Sequence, residues 1–416
     1  MRVLISFAAL FLSVVLLQLS SGGVGPLDAL SGLSLGFSKA EIGLLGSAHF
    51  LGFFIGCWWA PRLMGTIGHT RAFAAFTAIG SMGLMAHMML IDPLAWSLMR
   101  VATGFCVAGC YTVIEAWLNA RLTNETRGRA MGTYRIADMG ASLVAQLLIG
   151  VLDPAAYISY NLLSLICIAA LLPLTLSKLS QPETPAAPRL NPGLAIRLSP
   201  LAVMGVIVAG LTSAAFRMVG PVYGQEVGLR ADQIGFFLAA FVGGGALAQY
   251  PVGWLADKFD RRSVLIGLSV AAVATCGVTL AASGGGTVPV FLSAALFGAA
   301  SFPVYSVAAA HAHDWADSDQ RVELSAALMF FYAVGAIASP LAASGMIERY
   351  GPGALFWLIA GGHAALVLFG LARMQIRPAR GPRTPYIWTP RTSFLIGRLT
   401  KPSRDRRRAA RDRETG

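Results

Sequence analysis

Charge is scarce in this chain of 416 residues. Asp, Glu, Lys and Arg together make up 12% of it, against about a quarter in soluble domains, and a solvated globular surface is hard to build from so little. Cysteine is scarcer and carries no chemistry. All five (Cys57, Cys106, Cys110, Cys167, Cys276) fall in apolar stretches, where the residue behaves as a small hydrophobe. Cys106 and Cys110 share a helical face at i and i+4, but no His or further Cys completes a metal site, so no metal is expected. There is no Gly-x-x-x-x-Gly-Lys-(Ser/Thr) run, which argues against ATP as a direct driver. No cofactor is implied.

Apolar sequence is what the chain has instead, at 56% of residues. A helix of about 20 apolar residues spans a bilayer's hydrocarbon core, and twelve such stretches follow one another: Leu4 to Val24, Glu41 to Leu63, Arg71 to Ile91, Pro93 to Leu118, Gly128 to Leu152, Ala155 to Leu176, Leu198 to Val222, Gln233 to Leu255, Ser263 to Ala282, Val288 to Ala310, Leu324 to Ile347 and Pro352 to Leu371. The 46 glycines suit membrane helices, whose backbones approach closely at small residues. The expectation is an all-α membrane protein of twelve transmembrane helices.

The net charge of +12 does not point to nucleic acid, because it is concentrated at one end. Residues 374–416 hold twelve Lys or Arg against three acids, a net of +9. This tail reads as a disordered cytoplasmic extension, either touching anionic lipid or serving only as an orientation signal. The short loops agree on sidedness. Arg62, Arg71, Arg121, Arg127, Arg129, Lys178, Arg189, Arg197, Lys258, Arg261, Arg262 and Arg321 lie on one side, and only Lys39, Arg230 and Arg349 on the other. Positive-inside bias then puts both termini in the cytoplasm of a bacterial inner membrane. An alternative, that the first span is a cleaved signal peptide, would leave eleven spans and unmatched halves.

A proline-rich polar linker, 178–197, separates an N-terminal half (1–177) from a C-terminal half (198–373), with the tail at 374–416. Across the linker the sequence repeats. Gly36-Phe-Ser-Lys-Ala-Glu-Ile-Gly43 opens span two and Gly228-Leu-Arg-Ala-Asp-Gln-Ile-Gly235 opens span eight, 192 residues later. Two pseudo-symmetric six-helix bundles with a site between them are a known transporter plan.

Gly253-Trp-Leu-Ala-Asp257-Lys258-Phe-Asp260-Arg261-Arg262 resembles the signature of the major facilitator superfamily, Gly-x-x-x-Asp-(Arg/Lys)-x-Gly-Arg-(Arg/Lys), between spans eight and nine. Asp260 replaces the usual glycine. The first-half copy, Pro61 to Thr70, keeps Gly68 but has Gly65 where the acid belongs. Arg100-Val-Ala-Thr-Gly104 resembles the Arg-x-x-x-Gly opening of the fourth span in many members, and Val113-Ile-Glu115-Ala-Trp-Leu-Asn119, Arg127-Gly-Arg129, Gly298-Ala-Ala-Ser-Phe302-Pro-Val-Tyr305 and Tyr332-Ala-Val-Gly335 resemble a YcaD-like branch of bacterial permeases. The resemblance implies alternating access, with Gly253, Asp257, Lys258, Arg261 and Arg262 as a gating element facing Arg127 and Arg129. It assigns no substrate.

Ionisable residues inside spans are expensive and face a cavity or one another. Glu115, near the end of span four, and Arg135 and Asp138, two turns into span five, are expected at one depth, as a network that rearranges during transport or as a fixed ion pair. Arg100 and Arg217 offer rigid donor forks suited to an anionic solute or to a counter-charge for a proton-carrying acid; packing is the competing reading. His49, His87, His363, His311 and His313 are candidate proton carriers or ordinary hydrogen-bonding residues. The sequence therefore describes a secondary transporter, acting as a monomer, that moves a small molecule by alternating access, driven by a proton or solute gradient, with efflux and uptake both open. Two other classes stay open: an integral-membrane enzyme built on His311, His313 and Asp314, and a non-transporting sensor with a basic tail.

Overall fold

The computed structural model describes residues 2–121, 124–177, 190–317 and 319–376. Every regular element among them is a helix. The first half contains α1 (Arg2–Ser34), α2 (Lys39–Ile67), α3 (His69–Ala86), α4 (Pro93–Arg121), α5 (Asn124–Leu147), a short 3-10 turn at Leu148–Gly150, α6 (Tyr157–Ala169) and α7 (Leu171–Leu176). After α8 (Pro192–Leu198), the second half contains α9 (Pro200–Glu226), α10 (Ala231–Lys258), α11 (Arg261–Ala282), α12 (Thr287–Ser301), α13 (Pro303–His313), α14 (Arg321–Tyr350) and α15 (Ala354–Ile376). Pro303 has no N–H to donate, and the tenth span divides there into α12 and α13.

Among the described residues, ten helical stretches are long and apolar enough to cross a membrane, with α6–α7 and α12–α13 each counted as one. The expected third and fifth spans form helices, α3 and α5, that do not reach this standard. α3 has 18 residues and begins with His69 and Arg71, while α5 carries Arg135 and Asp138 in its middle. α1 also differs from expectation: it runs ten residues beyond Val24, through Pro26, to Ser34.

The repeat seen in the sequence has a local physical form. Gly36 and Gly228 both take a left-handed φ of +84°, which only glycine adopts without strain. The next helix then starts with its first N–H groups satisfied. Ser38 N donates to Glu41 Oε2 at 2.8 Å, and 192 residues later Arg230 N donates to Gln233 Oε1 at 3.0 Å.

Packing repeats as well. α2 lies on α4 as α10 lies on α12, α1 on α5 as α9 on α14, and α3 on α6 as α11 on α15. Glycines permit the closest of these approaches. A Cβ on Gly52 would strike the Val101 carbonyl and one on Gly104 the His49 carbonyl; Gly244 meets Ala295 and Gly298 meets Phe241 in the same way. Between the halves, α2 packs on α14, α5 on α10 and α1 on α9.

One face, here the outer face, carries the α1–α2, α5–α6 and α9–α10 connections, and the halves touch there. Lys39 and Glu226 form an ion pair at 2.9 Å. A Cβ on Gly43 would lie 2.7 Å from the Pro340 carbonyl oxygen, one on Gly150 3.0 Å from Asp232 Cα, and one on Gly235 2.7 Å from the Gln146 carbonyl oxygen. α1 starts from the opposite, terminal face.

Candidate functional site

A cavity of about 170 Å³ lies between the halves, lined by α1, α2, α4 and α5 from one and by α9, α10, α13 and α14 from the other. Its polar walls include Gln18, His49, Tyr111, Arg135, Asp138, Gln146, Arg217 and Gln249. Met218 and Gly25 form part of its outer end, where a Cβ on Gly46 would lie 2.8 Å from Met218 Cβ.

Three of the five embedded charges singled out in the sequence come together, and one pairing differs from expectation. Arg135 lies 3.8 Å from Asp138, one turn away on α5. Glu115 instead accepts a hydrogen bond from Tyr134 at 3.2 Å, and the Arg135 guanidinium covers the Tyr134 ring at 4.3 Å. The phenol thus stands where a direct Glu115–Arg135 pair was expected. α5 turns Arg135 and Asp138 toward the cavity, whereas Glu115 is buried behind them. The Tyr111 hydroxyl faces Asp138 Oδ1 at 2.5 Å and the Gln18 amide oxygen at 2.6 Å, tying α1, α4 and α5 into one polar network. Arg217, from the other half, donates to Ser142 Oγ at 3.4 Å, one turn beyond Asp138 on α5.

Arg100 does not line this cavity. Its Nε lies 3.3 Å from Asp28 Oδ2, and Nη2 contacts the Met218 sulfur at 3.6 Å across the seam. Asp28 also accepts from the Tyr160 hydroxyl at 2.9 Å and lies 3.6 Å from His87 Nε2. Sequence reasoning missed Asp28, because the first span was ended before it. The usable signal was the run from Leu27 to Ser34, which contains one charge and no further proline.

The remaining histidines divide by surroundings. His49 stands in the cavity wall, and His363 Nε2 lies 3.1 Å from the Thr212 hydroxyl. The His311, His313 and Asp314 cluster does not converge: His313 faces Ser325 at 3.2 Å, and Asp314 accepts from Arg261 at 2.7 Å.

In the signature loop, Arg261 is fully buried and joins three helices. It donates to Asp257 on α10 at 3.1 Å, to Asp314 after α13 at 2.7 Å and to the Ala310 carbonyl at 3.0 Å. Asp260, the departure from the motif, caps α11 by accepting from Arg262 N at 3.0 Å and pairs with the Arg262 guanidinium at 2.7 Å. Burial opposes its charge, but the Arg262 hydrogen bonds prevail and hold the carboxyl below its usual range. Lys258 covers the Trp254 ring at 4.7 Å, and Gly253 is buried in α10. The side chains of Arg127 and Arg129, expected to face Asp257, lie outside the described residues.

The motif, the helix order and the cavity agree with the comparison to known families: the model of the Major Facilitator Superfamily matches residues 10–204 and again 201–404. The chain belongs to the major facilitator superfamily. Among curated members, it is 27% identical over 325 residues to an uncharacterized MFS-type transporter, YcaD, of Salmonella enteritidis, covering 77% of this chain and 83% of that one. Among solved structures it resembles the nucleoside transporter NupG, with a TM-score of 0.72 at 15% identity over 89% of this chain and 99% of that one. A D-xylose-proton symporter matches with a TM-score of 0.64 at 12% identity, over 90% and 98% of the two chains. The chain is thus a multi-pass membrane protein whose cavity is lined by helices of both halves.

Proposed function

We propose that the chain is a secondary active transporter that carries a small solute by alternating access, driven by a proton or solute gradient. It works as a monomer in the bacterial inner membrane with both termini in the cytoplasm, so that the terminal face is cytoplasmic. The observation that carries this reading is the cavity itself, walled by eight helices drawn equally from the two halves and flanked by a close-packed outer seam. A solute bound there touches both halves at once, and a difference in its fit between the two arrangements is what cycles the protein. On this reading the state described here is closed to the periplasm. Asp257, Arg261 and Arg262 belong to the cytoplasmic gate. The basic tail beyond residue 376, which lies outside the described residues, contacts anionic lipid. The reading is of a transporter rather than an enzyme: in the cluster of His311, His313 and Asp314, His313 faces Ser325 and Asp314 accepts from Arg261.

The test is counterflow into liposomes across a compound library, combined with a bifunctional thiol cross-link between Lys39→Cys and Glu226→Cys. At least one solute should accumulate with the free protein and fail to accumulate once the outer seam is tied. Counterflow that persists through the cross-link would defeat alternating access, and a library with no transported solute would leave the sensor reading in its place.

A further inference from the structure

Arg135 has a side chain 3% exposed in the wall of the cavity, yet Nε, Nη1 and Nη2 all lack a hydrogen-bond partner among the described residues. A guanidinium carries five N–H donors in a fixed fork, and leaving them unused in a buried place is costly. Its neighbours do not absorb them. Tyr134 offers only a ring face, at 4.3 Å, and Asp138 at 3.8 Å is beyond hydrogen-bond length while its Oδ1 is held by Tyr111 at 2.5 Å.

The second cation of the cavity comes from the other half. Arg217 bonds Ser142, which is seven residues beyond Arg135 on α5, so the two arginines address one stretch of that helix about 10 Å apart along its axis. Counted over the residues that line the cavity, two Arg and one Asp leave a formal charge of +1; Glu115 stands behind Tyr134, outside that lining. A neutral solute would leave that charge buried, a dication would add to it, and a dianion would overshoot it.

We propose that the transported solute is a small monocarboxylate, held by the Arg135 fork in the first half and met by Arg217 from the second. A carboxylate fits the bidentate geometry of a guanidinium and brings the single negative charge that the cavity lacks. Because one arginine belongs to each half, the anion also favours closure of the halves around it. This proposal rests on the transporter reading and names its cargo class.

The experiment uses the purified full chain and a panel of short aliphatic, 2-hydroxy and aromatic monocarboxylates, each paired with its neutral amide. Thermal unfolding should rise with one or more carboxylates and not with the matching amides. Affinity should fall about tenfold or more in Arg217→Gln and in Arg135→Lys, which keeps the charge and loses the fork. Arg230→Gln, on the outer surface, should respond as the unaltered chain does. Binding of amides as well as acids, a panel without any binding acid, or unchanged affinity in both cavity variants would each overturn the proposal. A parallel measurement separates this from the transporter reading: Ser344→Cys, buried in the outer seam, should react with an impermeant maleimide whenever the halves rock, whatever the cargo. Labelling without carboxylate binding removes only the cargo class, and absence of labelling removes alternating access itself.

Discussion

Lys39 Nζ and Glu226 Oε2 meet at 2.9 Å, joining the start of α2 in one half to the end of α9 in the other. Both side chains keep about a quarter to a third of their surface exposed, so the pair is screened and is worth about 0.2–1 kcal/mol. Lys39→Gln should therefore open the outer seam by no more than about fivefold in the ratio of states. Maleimide labelling of Ser344→Cys from the outer side reads that ratio. The charge-swapped pair, Lys39→Glu with Glu226→Lys, should restore the original rate; failure to do so would show that the contact plays no part in closure.

Gly43 has a larger lever on the same equilibrium. Any side chain there meets the Pro340 carbonyl oxygen and Ser344 at 2.7 Å, both on α14 in the other half, so that parting the halves would relieve the clash. Overpacking costs about 1–3 kcal/mol, so Gly43→Val should shift the balance toward the outward-open state by roughly 5- to 150-fold. Spin labels at positions 39 and 226 should move apart. Gly52→Val makes the contrasting case. It strikes Val101 inside one half, so it should lower thermal stability without a comparable change in that distance.

The pairing of Arg135 is open to a double-mutant cycle. Arg135 is an ion-pair partner of Asp138, and Tyr134 stands between it and Glu115. The coupling between Arg135→Gln and Asp138→Asn should thus exceed that between Arg135→Gln and Glu115→Gln, with the first above about 0.5 kcal/mol. The reverse order, in transport or unfolding, would restore the direct pair expected from helix depth alone.

What the sequence made legible was periodic or punctuated. Apolar runs mark most helices because each reports its own surroundings. The repeat around Gly36 and Gly228 was visible because positive φ and a capping acid or amide are demanded locally. Partner choice was not legible in this way. Glu115 and Arg135 were expected side by side, but Tyr134 takes the position between them, and this depends on side-chain rotamers across two helices. α3 and α5 fall short of an apolar span because α3 opens with His69 and Arg71 and α5 carries Arg135 and Asp138 in its middle. Asp28 was lost for a related reason: Pro26 after Gly22, Gly23 and Gly25 looks like an ending, yet a proline inside a membrane helix is tolerated when neighbours satisfy the freed carbonyl.

Asp28 and Arg100 form a nearly dry pair, with side chains 3% and 1% exposed. Removing one member of such a pair leaves an uncompensated charge and costs about 3–5 kcal/mol. Asp28→Asn and Arg100→Gln should each lower the unfolding temperature sharply, and the double variant should recover part of the loss. Equal losses that simply add would mean that the two charges do not compensate each other.

Asp314 and Asp257 both accept from Arg261, but their surroundings give them different tasks. Asp314 is 6% exposed and Asp257 49% exposed. Loss of the buried acid leaves Arg261 short of its main counter-charge among helices α10, α11 and α13, so Asp314→Asn should reduce stability by roughly 3 kcal/mol or more. Loss of the exposed acid removes a screened contact, and Asp257→Asn should change stability by less than about 1 kcal/mol. Its effect is expected in gating instead, because the family resemblance sets the signature loop against the start of α5, and the first-half copy offers only Gly65 at the matching position. Faster labelling of a cysteine in the cytoplasmic part of the cavity, with stability preserved, is the expected result for Asp257→Asn. If labelling and transport both stay unchanged, the acid of the signature serves only to orient Arg261, and the cytoplasmic gate is closed by packing.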